Sequence, residues 1–244
     1  MTLRLDLLRH GETELGGGLR GSLDDALTEK GWAQMREAVL EGGPWDRLVS
    51  SPLQRCARFA AGLGEQLNLP VHLEKDLQEL HFGAWEGQSA AALMETDAEA
   101  LGLFWADPYA FTPPQGEAVS DFSARVLAAV ARLETAYSGE RVLLISHGGV
   151  MRLLLARARG LPREQLLNVE VAHGALFSLS VEADGSLKEG RGYVAAGDRP
   201  AISQQSADSS AGDAGARATR AFAAVLSAGR VAVRRDSVGA EPGV

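Results

Sequence analysis

Arg9-His10-Gly11-Glu12-Thr13 places a guanidinium and an imidazole side by side, directly after the apolar run Leu3, Leu5, Leu7, Leu8. A second guanidinium, Arg55, closes Ser50-Ser51-Pro52-Leu53-Gln54-Arg55, and a second imidazole, His147, follows Val142-Leu143-Leu144-Ile145-Ser146 and precedes Gly148-Gly149. Arginine offers planar paired donors that match phosphoryl oxygens, and a neutral imidazole can attack phosphorus. Any one of these residues alone is most simply a surface ion pair or a buried, hydrogen-bonded ring. Together they read as a phosphoryl-transfer site, provided that one edge of one sheet collects them. A proton donor for the leaving oxygen is also needed, and the carboxylates Glu74, Glu79 and Glu86 lie within one stretch.

The elements that would position them follow from periodicity. Leu3–Leu8 reads as a strand covered on both faces, and so does Arg141–Ser146. Thr28 is placed to cap a helix through Trp32, Met35, Val39 and Leu40 that stops at Gly42-Gly43-Pro44. Asp46–Ser51 is a short strand, and Pro52 opens a helix through Phe59, Leu63 and Leu67. A strand at Val71–Glu74, short helices over 89–95 and 98–105, a long helix capped by Ser120, and a helix from Val150 to Arg159 complete the middle of the chain. Strand-like patterns recur at 175–181 and 192–194, with a turn at Ala183-Asp184-Gly185 between them. Alternating strands and helices predict an α/β fold, a three-layer α/β/α sandwich with a mostly parallel sheet and a small helical cap inserted over about 80–118. Strands that end in Arg9-His10, Arg55 and His147 deliver them to the ligand edge of such a sheet, and Arg55 and His147 also fall at helix starts that favour anions.

The chain has 244 residues, 45% hydrophobic and 23% charged, which excludes disorder throughout and leaves room for one large domain or two small ones. Its formal charge of −8 has the wrong sign for holding nucleic acid or an anionic membrane, so an anionic ligand must meet a local basic pocket. Residues 198–244 shift to Ala, Ser, Gly, Asp and Arg, with Phe222 as the only aromatic; we expect a mostly disordered tail after a domain over 1–197, with a short helix conceivable near 217–226. That tail carries six Arg against five acids, so the domain itself stands near −9. Cys56 is the single cysteine and excludes an intramolecular disulfide framework or a cysteine zinc cage. No apolar run suits a membrane span, and the N-terminus lacks the long apolar stretch of a signal peptide, so a cytoplasmic location is expected.

With these residues in view, the chain resembles the histidine phosphatase (phosphoglycerate mutase-like) superfamily. Arg-His-Gly-Glu-Thr matches 9–13, Gly21, Asp24 and Leu27-Thr28 match the turn before the first helix, Ser-x-Leu-x-Arg matches 51–55, and Ser-His-Gly matches 146–148, in the family's order across about 3–181. The resemblance implies His10 as the nucleophile, Arg9, Arg55 and His147 as phosphoryl ligands, Glu79 as the acid and base, and no metal or other cofactor. Glu74 and Glu86 fall off the matching position and are expected to be surface or structural residues. Where many relatives carry an Asn phosphate ligand, this chain has Gly16, so a backbone N–H or Arg20 must take over or the contact is lost. Gly16-x-Gly18-x-x-Gly21 also satisfies a dinucleotide fingerprint, but no helix opens directly after it, which argues against that use.

Within the superfamily, Glu79-x-x-Phe82-Gly83-x-Trp85-Glu86-Gly87 and the compact insert are similar to the alpha-ribazole phosphatases. The resemblance implies a small phosphate ester as substrate, alpha-ribazole 5′-phosphate or the cobalamin precursor that carries it, with Arg20, Ser22 and Trp85 as further contacts. Trp85, Trp105, Tyr109, Phe104 and Phe111 are candidates for an aromatic wall against a benzimidazole-like base; most of them are more simply the small core of the cap, and Trp85 is the one first expected to stack. A broad-specificity or sugar-phosphate phosphatase is the alternative within the family. A non-catalytic phosphate-binding protein is the alternative outside it.

Overall fold

The structure is a computed structural model and describes residues 2–190. A six-stranded sheet runs in the order β3-β2-β4-β1-β5-β6. Its strands are β1 (Leu3–Arg9), β2 (Arg47–Ser50), β3 (Val71–Leu73), β4 (Arg141–Ser146), β5 (Leu176–Val181) and β6 (Leu187–Glu189). The first four are mutually parallel; on the β1 side β5 runs antiparallel to β1, and β6 antiparallel to β5. This is the mostly parallel α/β sandwich expected from the alternation of strands and helices.

Both faces of the central strands are buried because their side chains enter two separate cores. Leu3, Leu5 and Leu7 of β1 and Val142 and Leu144 of β4 join Phe122, Val126 and Val130 of α5 (Val119–Tyr137) and Leu154 of α6 (Gly148–Ala158). Leu8, Leu143 and Ile145 point the other way, into Met35 and Val39 of α1 (Glu29–Leu40) and Phe59 and Leu63 of α2 (Gln54–Leu67). Period-two alternation thus feeds both layers, which is why these strands read as continuous apolar runs. Asp6 is the polar exception, fully buried on β1 but held by Trp45 Nε1 at 2.7 Å and Arg141 Nη2 at 2.8 Å.

Thr28 caps α1 by accepting from Gly31 N–H, as anticipated. Leu40, assigned to the inner face of that helix, is instead exposed at its last turn. Two helix starts also move. Pro52 lies two residues before α2, and α5 begins at Val119 behind Ala118, so Ser120 sits inside its first turn and does not cap it. The sequence reading missed β6, and the strand assigned to 192–194 lies outside the described residues, as do the expected tail at 198–244 and its helix. Between β3 and α5 come α3 (Ala90–Thr96) and α4 (Ala98–Ala106), whose Leu93, Leu101 and Phe104 pack into the α5–α6 core. No helix among the described residues is long and apolar enough to cross a membrane.

Candidate active site

Parallel β1, β2 and β4 end at one edge of the sheet, with Arg9 paired in register to Ser146 and Ser50 to Ile145. Arg9-His10, Ser51 with Arg55, and His147 therefore meet there, for the physical reason the sequence supplies: three buried strands, each followed by a loop or a helix N-terminus. The His10 and His147 rings lie 5.3 Å apart and nearly edge to face.

His10 Nδ1 sits 2.8 Å from the carbonyl of Gly11. A carbonyl only accepts, so Nδ1 carries the proton and Nε2 presents an open lone pair. Burial, then the cations of Arg55 and Arg9, pushes the His10 pKa well below that of a free imidazole. At neutral pH the ring is the neutral nucleophile that phosphoryl transfer needs.

Arg55 is fully buried, and its Nη1 and Nη2 donate to the carbonyls of Leu23 and Gly21 while its Nε lies 3.3 Å from His147 Nδ1. His147 Nδ1 therefore accepts, and Nε2–H donates to Ser51 Oγ at 2.7 Å. Burial and Arg55 also keep His147 well below its ordinary value. Arg9 Nη1 is held by Val171 O, and its guanidinium, lowered to about 10 chiefly by burial, remains cationic at neutral pH.

Two carboxylates organise this charge. Asp25, buried, lies 3.2 Å from Arg20 Nε and 3.7 Å from Arg55 Nη1, without hydrogen-bond geometry to either. Arg20 Nη1 donates to Thr13 Oγ1 at 2.6 Å. Arg20 Nη2 and Arg9 Nε are buried donors with no acceptor among the described residues. Buried guanidinium N–H groups without an acceptor are costly, and an anion between these arginines would satisfy them. Glu79 is the second carboxylate: Oε2 accepts from Gly149 N–H at 2.8 Å at the start of α6, and Oε1 accepts from Leu80 N–H at 2.9 Å.

Other sequence-derived candidates take different places. Glu86 receives N–H donors from Ser22, Leu23 and Phe82, and so ties the 20s loop to the 80s stretch. Glu74 caps the turn at Lys75–Leu77 and pairs with Arg132. Both are structural, as expected. Ser22 is exposed and meets Glu86 through its backbone. The expectation for Trp85 is overturned: it is 2% exposed, donates to Asp97 Oδ2, stacks on Phe111 and meets Phe104 edge-on. No face of that ring is open to a ligand.

Three residues at or behind the site escaped the sequence reading. His173 lies 5.5 Å from His10, on a turn whose Gly174 N–H reaches His10 O. The sequence carries no signal for it, because the antiparallel direction of β5, which brings its start to the edge where β1 and β4 end, is set only by strand pairing. Arg125 on α5 clamps the turn that carries Glu79, donating to the carbonyls of Asp76, Gln78 and Glu79 and pairing with Glu117. Arg152 on α6 donates to Val169 O and lines a cavity with Glu79 and Gly149.

The residues from 5 to 190 match the model of the histidine phosphatase superfamily (branch 1), and the chain belongs to that family. It is accordingly a phosphatase that hydrolyses phosphate esters. An adenosylcobalamin/alpha-ribazole phosphatase of Salmonella typhimurium is 33% identical over 183 residues, 73% of this chain and 91% of the relative. A glucosyl-3-phosphoglycerate phosphatase of Mycolicibacterium vanbaalenii is 37% identical over 172 residues, 65% of this chain and 75% of the relative. The crystal structure of the alpha-ribazole phosphatase from Shigella flexneri superposes with a TM-score of 0.66 at 32% identity, covering 76% of this chain and 94% of that one.

Proposed function

We propose that the chain removes the 5′-phosphate of alpha-ribazole 5′-phosphate, or of the cobalamin precursor bearing it, through a phosphohistidine at His10. The observation that carries the chemistry is the open Nε2 of His10, fixed by Gly11 O among Arg9, Arg55 and Glu79. In the first step Nε2 bonds to phosphorus as the ester P–O bond breaks, and Glu79 gives its proton to the leaving alkoxide. In the second step Glu79 takes a proton from water, whose oxygen displaces His10 and releases inorganic phosphate. Arg9, Arg55 and Arg20 stabilise the charge on the non-bridging oxygens throughout. Arg20 Nη2 takes the role that Asn has in many relatives and Gly16 lacks, since it is a buried donor with no acceptor among the described residues and one carboxylate away from Arg55. Ser51 Oγ accepts from His147 Nε2–H and Leu53 N–H, so its own hydroxyl proton is available to a phosphoryl oxygen; His147, expected as a direct phosphoryl ligand, has its one N–H on Ser51 and acts through that hydroxyl.

Rapid-quench labelling with a phosphorylated substrate is expected to give an acid-labile phosphoenzyme that is lost in His10→Ala. Absence of turnover and of label across a panel of phosphomonoesters would instead favour a phosphate-binding protein. The substrate assignment is supported by coverage, 91% of the alpha-ribazole relative against 75% of the glucosyl-3-phosphoglycerate one, and the same panel tests it: alpha-ribazole 5′-phosphate should exceed glucosyl-3-phosphoglycerate and 3-phosphoglycerate in kcat/KM. A reversal in favour of glucosyl-3-phosphoglycerate would reassign it to the other group of relatives.

A further inference from the structure

Beside Glu79 lies a cavity of about 410 Å³. It falls in the size range of small-ligand pockets, and most of its wall is apolar. Phe82 and Phe104 form one side and Leu166 and Leu167 another, while Glu79, Arg152 and Asn168 are the polar groups facing in. Because Glu79 is the group that must protonate the departing oxygen, this cavity is where the leaving alcohol is held.

The cavity divides its aromatic residues into two kinds. Phe104 is buried and held edge-on by Phe82 and Trp85, so it is a fixed wall. Trp105, the next residue of α4, also lines the cavity but is 49% exposed, with no ring partner among the described residues. An indole half exposed beside an apolar cleft offers a stacking surface. Arg152, on the wall of the same cavity, donates Nε to Val169 O, and no hydrogen bond from its terminal nitrogens is found among the described residues, which leaves donors for hydroxyl groups.

We infer that Trp105 is the specificity-determining residue of the phosphatase, stacking on a flat aromatic ring of the leaving alcohol while Arg152 and Asn168 hydrogen-bond the hydroxyls between that ring and the phosphate. The substrate class is therefore a ribose-type phosphate ester carrying an aromatic base. This deepens the function proposed above and rests on its reading of Glu79 as the acid.

Steady-state kinetics with three esters sharing one ribose 5-phosphate unit test it: ribose 5-phosphate, adenosine 5′-monophosphate and alpha-ribazole 5′-phosphate. The two base-bearing esters should exceed ribose 5-phosphate by about tenfold or more in kcat/KM, the scale of one base–aromatic stack. Trp105→Ala should bring that ratio near unity, and Trp105→Phe should restore most of it. Leu103→Ala, a change on the same helix at an exposed position outside the cavity, should keep the full ratio. An unchanged ratio in Trp105→Ala, or equal use of ribose 5-phosphate by the wild type, would overturn the inference while leaving hydrolysis of alpha-ribazole 5′-phosphate intact. Equal use of the two base-bearing esters would remove the preference for alpha-ribazole and still support Trp105 as the stacking residue.

Discussion

Glu79 Oε2 and the backbone N–H of Gly149 are 2.8 Å apart, which joins the proposed acid to the helix that follows His147. The contact depends on residue 149 having no side chain, since a Cβ there would stand 2.2 Å from Glu79 Oε1. Gly149→Ala should therefore displace the carboxylate while α6, which gains a better helix former, still folds. A shift of about 1 Å in a reacting group costs on the order of a hundredfold in rate. We expect that loss in kcat/KM, which reports phosphorylation of His10 and not the later attack of water, for alkyl phosphates, and a much smaller one for p-nitrophenyl phosphate, whose leaving group needs no proton. Equal losses on both esters would show that Glu79 is not the proton donor.

Arg20 and Gly16 make a linked pair. Arg20→Gln should raise KM for every phosphate ester by about tenfold, the worth of one charge-assisted hydrogen bond. Gly16 has φ +70° with open space around its Cβ position, a conformation that Asn tolerates better than other side chains. Gly16→Asn in the Arg20→Gln background should recover part of the lost affinity by restoring the amide many relatives carry. Recovery measured as a KM ratio checks it; an Arg20→Gln enzyme with unaltered KM would remove Arg20 from the phosphate site.

Trp85→Ala is expected to act on stability. Its ring fills the contact between Phe104 and Phe111, and truncating a buried aromatic of this size costs about 3–5 kcal/mol. Urea denaturation should show the fall in midpoint. Across the three ribose esters its selectivity should stay nearer to wild type than that of Trp105→Ala.

The pH dependence follows from His10, His147 and His173, all held neutral in the native state. His173 is lowered to about 4, by burial first and then by Arg9. An unfolded histidine binds a proton near pH 6.5 while the native one does not, so stability is complete above that pH and declines as pH falls from about 6.5 towards the native values. Between pH 6.5 and about 4, urea midpoints should fall less steeply for His173→Asn than for the wild type. Over the same approach to pH 6, kcat/KM should not show the decline of an unperturbed histidine nucleophile, because His10 stays neutral.

Much of the site was legible because it is local in kind. Arg9, His10, Arg55 and His147 each follow a short apolar strand, and parallel strands must end on one edge, so one-dimensional pattern and the geometry of a sheet suffice to bring them together. Glu79 was separable from Glu74 and Glu86 only through the family resemblance, since nothing in the spacing ranks three carboxylates in one irregular stretch. Hydrogen bonding then showed what Glu74 and Glu86 do.

What the chain's order of residues determined, then, is the sheet, its ligand edge and the phosphoryl chemistry gathered there. The tertiary structure alone decided which tryptophan faces the ligand, where the buried Arg20 donor points, and that His173 and Arg125 flank the site. Those outcomes depend on how α4, α5 and the turn before β5 pack against elements distant in sequence. Short helices with apolar residues on several sides, such as Ala98–Ala106, carry no periodic signal for the face that will be covered. Packing against Phe111 and Phe104 buried Trp85, whereas Trp105 lines the cavity half exposed.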